Sequence, residues 1–372
     1  MLATPLEPGF RSLGQPSARR SALRAAGGGR LSRTFLVHGP TGSGKGAFVD
    51  DLLALLFCTA AADAEHPCNA CDGCRRARAR THPDLVPGSP EAWRDLRGTG
   101  ESIVGAARRW LGEAAGAPIA GQRRVILIEG ADRAGEAIQN TLLKVLEEPT
   151  ERHVFVLVAA EPSQLLPTIR SRCQPLRIGP VPRADLAGWL AGERRLEPDE
   201  AELLSRISEG FVGRALALAA DPAARTWRLG LQRELLDLLS AGRAARLIRA
   251  RELLDTAMAR TRPPADGDAG PNPDEPETRT PTSLQRAGAT AIVETWIALA
   301  RDLLVTAGGR PEAAAALSAV PQIQGAAARL GTARLVEFLG VMERVHAGLA
   351  DNASARLALD RAMLAWPELP AS

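Results

Sequence analysis

The chain has 372 residues, of which 45% are hydrophobic and 24% charged, and its formal net charge is +3 at pH 7. This length predicts two or three domains with their own cores, and the composition is ordinary for a globular protein. No apolar run reaches the roughly 18 residues of a membrane span, and the first residues lack a basic-then-apolar signal layout. We therefore expect a cytoplasmic protein with no membrane partner, and the weak charge does not by itself indicate nucleic-acid binding.

Strand and helix patterns alternate in the first half of the chain. The predicted elements are a helix at 17–26, a strand at Thr34–His38, a helix at 47–57, a strand at 125–128, a helix at 134–148, a strand at 154–159 and a short helix at 165–169. This alternation predicts an α/β domain with a mostly parallel sheet over residues 1–182.

Helical patterns rich in Ala, Leu and Arg replace the strands after residue 182. We expect a small helical unit at 183–222 and a larger all-α unit at 223–372. Within the larger unit, the segment 263–282 is rich in proline and acidic residues and has almost no large apolar side chain. Such a segment buries too little surface to order itself, so we predict a disordered insertion.

A glycine-rich loop follows the first predicted strand. The sequence GPTGSGKG starts at Gly39 and includes Gly42, Gly44 and Lys45. A strand, this loop and a helix form the P-loop arrangement, in which backbone N–H groups cradle phosphate and the lysine reaches the β- and γ-phosphates. The next residue is Gly46, where a Ser or Thr hydroxyl holds Mg²⁺ in active P-loops. Mg²⁺ binding is therefore not expected, and the sequence leaves open whether ATP is still bound.

The strand at 125–128 shows similar losses. Glu129 stands where the metal-holding Asp of a Walker B strand is expected, and its side chain is one methylene longer. Gly130 occupies the position of the acid that polarises the attacking water in many ATPases. Groups of this kind contribute roughly 10²–10⁴-fold each. The sequence therefore predicts a phosphate cradle with little or no hydrolysis of its own.

Four of the five cysteines are arranged as C-x9-C-x2-C-x2-C, namely Cys58, Cys68, Cys71 and Cys74. Close pairs of thiolates can reach one tetrahedral Zn²⁺, and a complete set of four indicates a structural site, not a catalytic one. His66 and His82 lie nearby as substitute ligands, but four cysteines make them unnecessary. Redox-active or merely buried cysteines are the alternative, and disulfides are not expected in the cytosol.

These motifs resemble those of the AAA+ subunits of bacterial replicative clamp loaders. The matching segments are GPTGSGKG at 39–46, VILIEGAD at 125–132, NTLLKVLEEP at 140–149 and LLPTIRSRCQ at 165–174, together with the cysteine module. The resemblance implies an AAA+ P-loop domain with a zinc module (1–182, cysteines at 58–74), a helical lid (183–222) and a helical collar for oligomerisation (223–372). It also implies other clamp-loader subunits as partners and, through the complex, the sliding clamp and primed DNA.

Within that family the sequence favours a hydrolysis-deficient subunit of the polymerase holoenzyme. Gly46 and Gly130 lack the needed side chains, and Ala159 and Ala160 occupy the stretch where the family's ATPases carry a polar sensor-1 residue. An active ATPase of the same family is the first alternative. A zinc-dependent nucleic-acid-binding module with a vestigial P-loop is the second, although the modest charge and the absence of interleaved aromatic residues argue against it.

The tripeptide Ser171-Arg172-Cys173 matches the family's SRC motif. The resemblance implies that Arg172 is an arginine finger, which contacts the γ-phosphate of ATP bound by the adjacent subunit. Cys173 would then be a packing residue, and an ordinary surface arginine is the alternative.

Two further residues carry weaker expectations. Arg214 resembles an arginine of the family's sensor-2 region, which can touch a bound nucleotide. Lys144 could meet a phosphate of DNA or simply lie on a solvated helix face.

Overall fold

The computed structural model describes residues 9–27, 33–61, 65–147, 150–261, 281–311, 314, 321–350 and 353–369. The chain divides into two compact units, Met1–Ala217 and Leu218–Ser372. No helix among the described residues is both long enough and apolar enough to cross a membrane.

The first unit contains a five-stranded sheet in which every pairing is parallel. Its strands are β1 (Thr34–His38), β2 (Leu85–Gly88), β3 (Arg124–Ile128), β4 (His153–Ala159) and β5 (Gln174–Arg177), in the spatial order β2-β3-β4-β1-β5. The carboxyl ends of β3, β4 and β1 therefore lie side by side. In open parallel sheets this edge is where ligands bind.

The first unit also contains helices before, between and after these strands. They are α1 (Pro16–Gly27), α2 (Lys45–Phe57), α3 (Asp72–Arg78), α4 (Pro90–Asp95), α5 (Ile103–Ala114), α6 (Glu136–Glu147), α7 (Pro167–Arg172), α8 (Arg183–Glu193), α9 (Pro198–Ile207) and α10 (Val212–Ala220), within which the first unit ends. Alternate strand residues enter two separate cores: Phe35 and Val37 pack with α1 and α2, whereas Leu36 packs with α5 and α6. Burial on both faces explains the continuous apolar runs in the sequence.

The second unit consists of helices and their connections, with no strand among its described residues. Its helices are α11 (Pro222–Asp237), α12 (Arg243–Thr261), α13 (Pro281–Ala307), α14 (Pro321–Leu330), α15 (Thr332–Ala350) and α16 (Ala355–Ala365). Trp296, Phe338 and Trp366 form an aromatic cluster in its core, with ring centroids 4.6–5.6 Å apart. The buried Arg246 donates to the carbonyl groups of Leu239, Trp366 and Pro367, and so fixes the segment after α16.

The predicted parallel α/β architecture and the helical C-terminal region are confirmed, with several local corrections. The helix predicted at 165–169 lies instead at Pro167–Arg172. Strands β2 and β5 were not predicted because both contain proline, which is tolerated here since both are edge strands. Residues 262–280 of the predicted insertion lie outside the described residues, as does residue 148 of the predicted 134–148 helix, whereas residues 281 and 282 begin α13.

A buried carboxylate fixes the segment that precedes α1. Asp51, in the middle of α2, is fully buried and accepts hydrogen bonds from the backbone N–H groups of Arg11 and Ser12. It also forms an ion pair at 2.7 Å with Arg78, at the end of α3. Arg78 in turn donates to Asn69 and to the Gly9 carbonyl. This network joins the initial segment, the P-loop helix and the cysteine module.

We predict that Asp51→Asn lowers the free energy of unfolding by about 3 kcal/mol, because it leaves the largely buried Arg78 without a counter-charge. Chemical denaturation of the purified chain measures this change. Glu151→Gln is the matched control, since Glu151 pairs with Arg33 on the surface at 3.9 Å and its removal should cost less than about 1 kcal/mol. Equal effects of the two substitutions would contradict the role of Asp51.

Candidate functional site

The glycine-rich loop connects β1 directly to α2, whose first residue is Lys45. A Cβ on Gly39 would lie 2.0 Å from the carbonyl oxygen of Ile178, so only glycine fits there. Gly42 has φ +79° and lies against Arg214, where a Cβ would be 3.2 Å from the arginine's backbone nitrogen. The glycines therefore permit a tight turn before the N-terminus of α2, which is the position where P-loops bind phosphate.

Lys45 is folded back onto this loop. Its Nζ donates to the carbonyl oxygens of Gly39 and Pro40 at 2.6 and 3.0 Å. Burial lowers the pKa of Lys45, and the carboxylates of Asp132 and Glu161 partly oppose this shift. The ammonium group thus takes its partners from the loop's own carbonyl groups.

The beginning of α10 covers the loop. The backbone N–H of Arg214 donates to the Gly42 carbonyl at 3.1 Å. The guanidinium of Arg214 forms an ion pair with Glu209 at 2.9 Å and lies 5.0 Å from the ring centroid of Phe211. The predicted sensor-2 arginine is therefore brought to the P-loop through its backbone, while its side chain binds Glu209.

Glu129 follows β3 at the carboxyl edge of the sheet and is paired with an arginine that the sequence patterns did not single out. Arg80 donates from Nη1 to Glu129 and from Nε to Asp50 of α2, both at 3.0 Å. Burial raises the pKa of Asp50, and the Arg80 guanidinium opposes this rise. One guanidinium thus pairs with both carboxylates and balances one of their two negative charges.

The residues at and after the ends of β3 and β4 make structural contacts and carry no reactive group at Gly130 or Ala159. Gly130 has φ +64° and no carboxylate, and Ala159 is buried at the end of β4. Asp132 accepts hydrogen bonds from the backbone N–H groups of Ala160 and Glu161 at 2.9 and 2.8 Å. Its carboxylate therefore ties the ends of β3 and β4 together.

The four predicted cysteine ligands meet at one point. The sulfur atoms of Cys58, Cys68, Cys71 and Cys74 all lie within 4.8 Å of one another. A tetrahedral ion with bonds of about 2.3 Å requires sulfur atoms about 3.8 Å apart, and Cys68 and Cys74 are 4.0 Å apart. The cluster could therefore hold a metal ion.

Local structure builds this cluster from two helices. Cys58 ends α2, Cys71 is the N-cap of α3, and Cys74 lies in its first turn. Between them, a Cβ on Gly73 would lie 2.0 Å from the Phe57 carbonyl oxygen, so glycine is required for the close approach. The backbone N–H groups of Cys71 and Cys74 point to the preceding ligand sulfurs, at 3.4 Å each.

These N–H contacts favour thiolates. Burial tends to raise the pKa of Cys71, but hydrogen bonds from the N–H groups of Thr59 and Cys74 bring it to about 6. Burial raises the pKa of Cys58 and Cys74, so a bound cation is needed to keep all four sulfurs ionised.

The two nearby histidines differ in position. His66 lies beside the cluster, with Nδ1 3.2 Å from the Cys58 sulfur. This arrangement suits a supporting contact to a ligand. His82 stacks on Phe57 at 3.8 Å and accepts a hydrogen bond from the backbone of Asp84.

The SRC tripeptide lies at the end of α7. Ser171 and Arg172 are exposed, whereas Cys173 is buried, and burial raises the pKa of its thiol to about 12. The Arg172 guanidinium donates from Nη1 to the Thr168 carbonyl at 3.0 Å and pairs through Nη2 with Glu147 at 3.1 Å.

A buried glutamine that the sequence analysis also missed positions α7. Gln139 of α6 is 3% exposed. It accepts a hydrogen bond from the Leu166 N–H at 2.8 Å and donates to the carbonyl groups of Ala134 and Gln164. Lys144, on the same helix, is exposed and borders an apolar cavity of about 210 Å³.

Comparisons with known proteins agree with the resemblance drawn from the motifs. Residues 14–182 match the family described as "DNA polymerase III, delta subunit". The DNA polymerase III subunit delta′ of Pseudomonas aeruginosa is 37% identical over 196 residues, which cover 51% of this chain and 57% of that protein. The Escherichia coli subunit delta′ is 33% identical over 190 residues, covering 51% and 55%.

A second kind of subunit is also similar to this chain. The DNA polymerase III subunit gamma/tau of Mycobacterium tuberculosis is 31% identical over 172 residues, which cover 45% of this chain and 28% of that protein. The chain thus spans a little over half the length of the two delta′ relatives and a smaller share of the gamma/tau relative.

We predict that the chain purifies with one equivalent of metal, which Cys74→Ser reduces because it removes one of the four sulfur ligands. Elemental analysis by mass spectrometry measures the metal content. Cys173→Ser is the matched control, since this fifth, buried cysteine lies outside the cluster and its replacement should leave the content unchanged. Metal-free protein, or equal losses from both variants, would contradict the site.

Proposed function

We propose that this chain is a delta′-type subunit of the DNA polymerase III clamp loader, since residues 14–182 match the family described as "DNA polymerase III, delta subunit" and two delta′ subunits are 37% and 33% identical to it over about half of its length. In this proposal it does not hydrolyse ATP itself and is no enzyme alone. It serves the polymerase holoenzyme by supplying Arg172 in trans to an ATP site on a neighbouring subunit. The partners are the tau/gamma and delta subunits and, through the complex, the sliding clamp and primed DNA.

The exposure of Arg172 is the observation that carries this proposal. Its contacts are with Glu147 and Thr168, which belong neither to the P-loop nor to the Arg80 cluster. A planar, permanently charged guanidinium at a surface can stabilise the charge that develops on a phosphoryl group bound elsewhere. The finger role thus needs no chemistry from this chain's own pocket.

The pocket of the chain supports the non-hydrolysing part of the proposal. Gly46 provides no hydroxyl for Mg²⁺, and one oxygen of Glu129 is paired with Arg80. Gly130 offers no base for the attacking water, and Ala159 offers no polar group at the end of β4. In this proposal the P-loop, including Gly39, Gly42, Gly44 and Lys45, would be a phosphate cradle without the groups for catalysis.

We assign Zn²⁺ to the four-cysteine cluster, as a structural ion. Four thiolates with no open position suit a structural site, and the bound ion would fix the loop between α2 and α3. We further assign residues 183–222 to a lid and 223–372 to a collar that joins the subunits. The beginning of α10 on Gly42 supports the lid assignment.

An active ATPase of the tau/gamma type is the alternative, and the match to a gamma/tau subunit favours it. We predict no ATP turnover above background by the purified chain, because the metal-holding and water-activating groups are missing. Phosphate release measured with and without primed DNA tests this. Turnover of about 1 s⁻¹ or more would favour the motor.

We predict that Arg172→Ala leaves the reassembled complex intact but lowers ATP hydrolysis at the neighbouring site by about 10³-fold, because the developing phosphoryl charge loses its stabilising cation. The measurement is the DNA-stimulated ATPase rate of the complex. Arg170→Ala removes another exposed arginine of α7 and is the control. Unchanged hydrolysis in the Arg172 variant would refute the finger role.

A further inference from the structure

Helix α6 contacts α7 at both ends of the shorter helix. At the start, the Leu166 N–H is bound by the buried Gln139 at 2.8 Å. At the end, the Arg172 guanidinium pairs with Glu147, the last residue of α6, at 3.1 Å. We infer that Glu147 is a positioning residue for Arg172, which fixes the direction in which the guanidinium is presented to a neighbouring molecule. This inference rests on the finger role proposed above.

The donor arrangement explains how one acid can position the finger without disabling it. A guanidinium has five N–H donors in a rigid plane. Glu147 accepts from Nη2 and the Thr168 carbonyl from Nη1, which leaves three donors without a partner among the described residues. The side chain is 38% exposed. One edge of the guanidinium is therefore anchored while other donors remain for a phosphate oxygen.

The two anchors are of different kinds. The Thr168 carbonyl belongs to the same helix as Arg172 and limits only its local rotamer. Glu147 belongs to α6, whose buried Ile138, Leu142 and Leu146 pack in the core. Its ion pair therefore connects the Arg172 guanidinium to a helix that is fixed within the domain. Without Glu147, the guanidinium would sample more orientations around α7 and meet the transferred phosphoryl group in the correct position less often.

The size of this effect is limited by exposure, because Glu147 and Arg172 are 50% and 38% exposed. Exposed ion pairs of this kind shift a local equilibrium by about 1.5- to 5-fold. A positioning contact acts on the reacting geometry, so its loss lowers kcat for hydrolysis in trans and leaves KM for ATP unchanged. A merely structural ion pair would change thermal stability and leave kcat unaffected.

The experiment measures DNA-stimulated ATP hydrolysis by the reassembled complex that contains each variant of this chain. Glu147→Ala should lower kcat by about 1.5- to 5-fold at constant KM. Glu147→Gln, which keeps an acceptor oxygen but loses the charge, should give an intermediate value. Glu202→Ala is the matched control: Glu202 is also 50% exposed, pairs with Arg206 at 3.2 Å and should leave kcat unchanged.

A double-mutant cycle distinguishes the positioning role of Glu147 from the proposed finger role of Arg172. Adding Glu147→Ala to Arg172→Ala should have no further effect, because there is no finger left to position. A loss in Arg172→Ala with no change in Glu147→Ala would overturn the positioning role and leave the finger role standing. Equal falls from Glu147→Ala in both backgrounds would also overturn it. No effect of Arg172→Ala would reject the finger role itself, and the positioning role with it.

Discussion

The contact of Arg80 with Glu129 and Asp50 places a fixed guanidinium between the end of β3 and helix α2. In active P-loop ATPases, the carboxylate at the end of this strand helps to hold the metal ion and its water. Here Arg80 donates to one oxygen of Glu129 at 3.0 Å. The guanidinium is permanently charged and is fixed by two acids at once. A guanidinium thus lies where a metal ion would be expected. The chain also lacks a hydroxyl at Gly46 and an acid at Gly130, which agrees with a pocket that holds no metal ion.

The cysteine module and this cation are structurally linked. Arg80 lies two residues after α3, the helix that carries Cys74 and whose N-cap is Cys71. It has a left-handed backbone at φ +55°, and its N–H donates to the carbonyl of Ala77, the residue three positions before it. A metal ion that fixes α3 would therefore also fix the arginine between Glu129 and Asp50. Under the proposed function, this link would give the zinc a role inside the domain, since it would hold Arg80 against Glu129 and Asp50.

The sequence predicted the features that strong local patterns encode and missed those that depend on distant contacts. Strand β1, the loop before Lys45 and the cysteine cluster are encoded by apolar runs, glycine spacing and cysteine spacing. The edge strands β2 and β5 were not predicted, because Pro87 and Pro175 argue against a strand in the sequence pattern. Arg80 and Glu147 were missed because their partners lie 49 and 25 residues away, and nothing in the local sequence separates these charges from solvated ones.

The most direct test of the finger role of Arg172 is the structure of the reassembled complex with a non-hydrolysable ATP analogue. We expect the Arg172 guanidinium to lie about 3 Å from a γ-phosphate oxygen of nucleotide bound to an adjacent subunit. The finger role would be contradicted if Arg172 faced solvent in that state, or if another arginine of this chain made the phosphate contact.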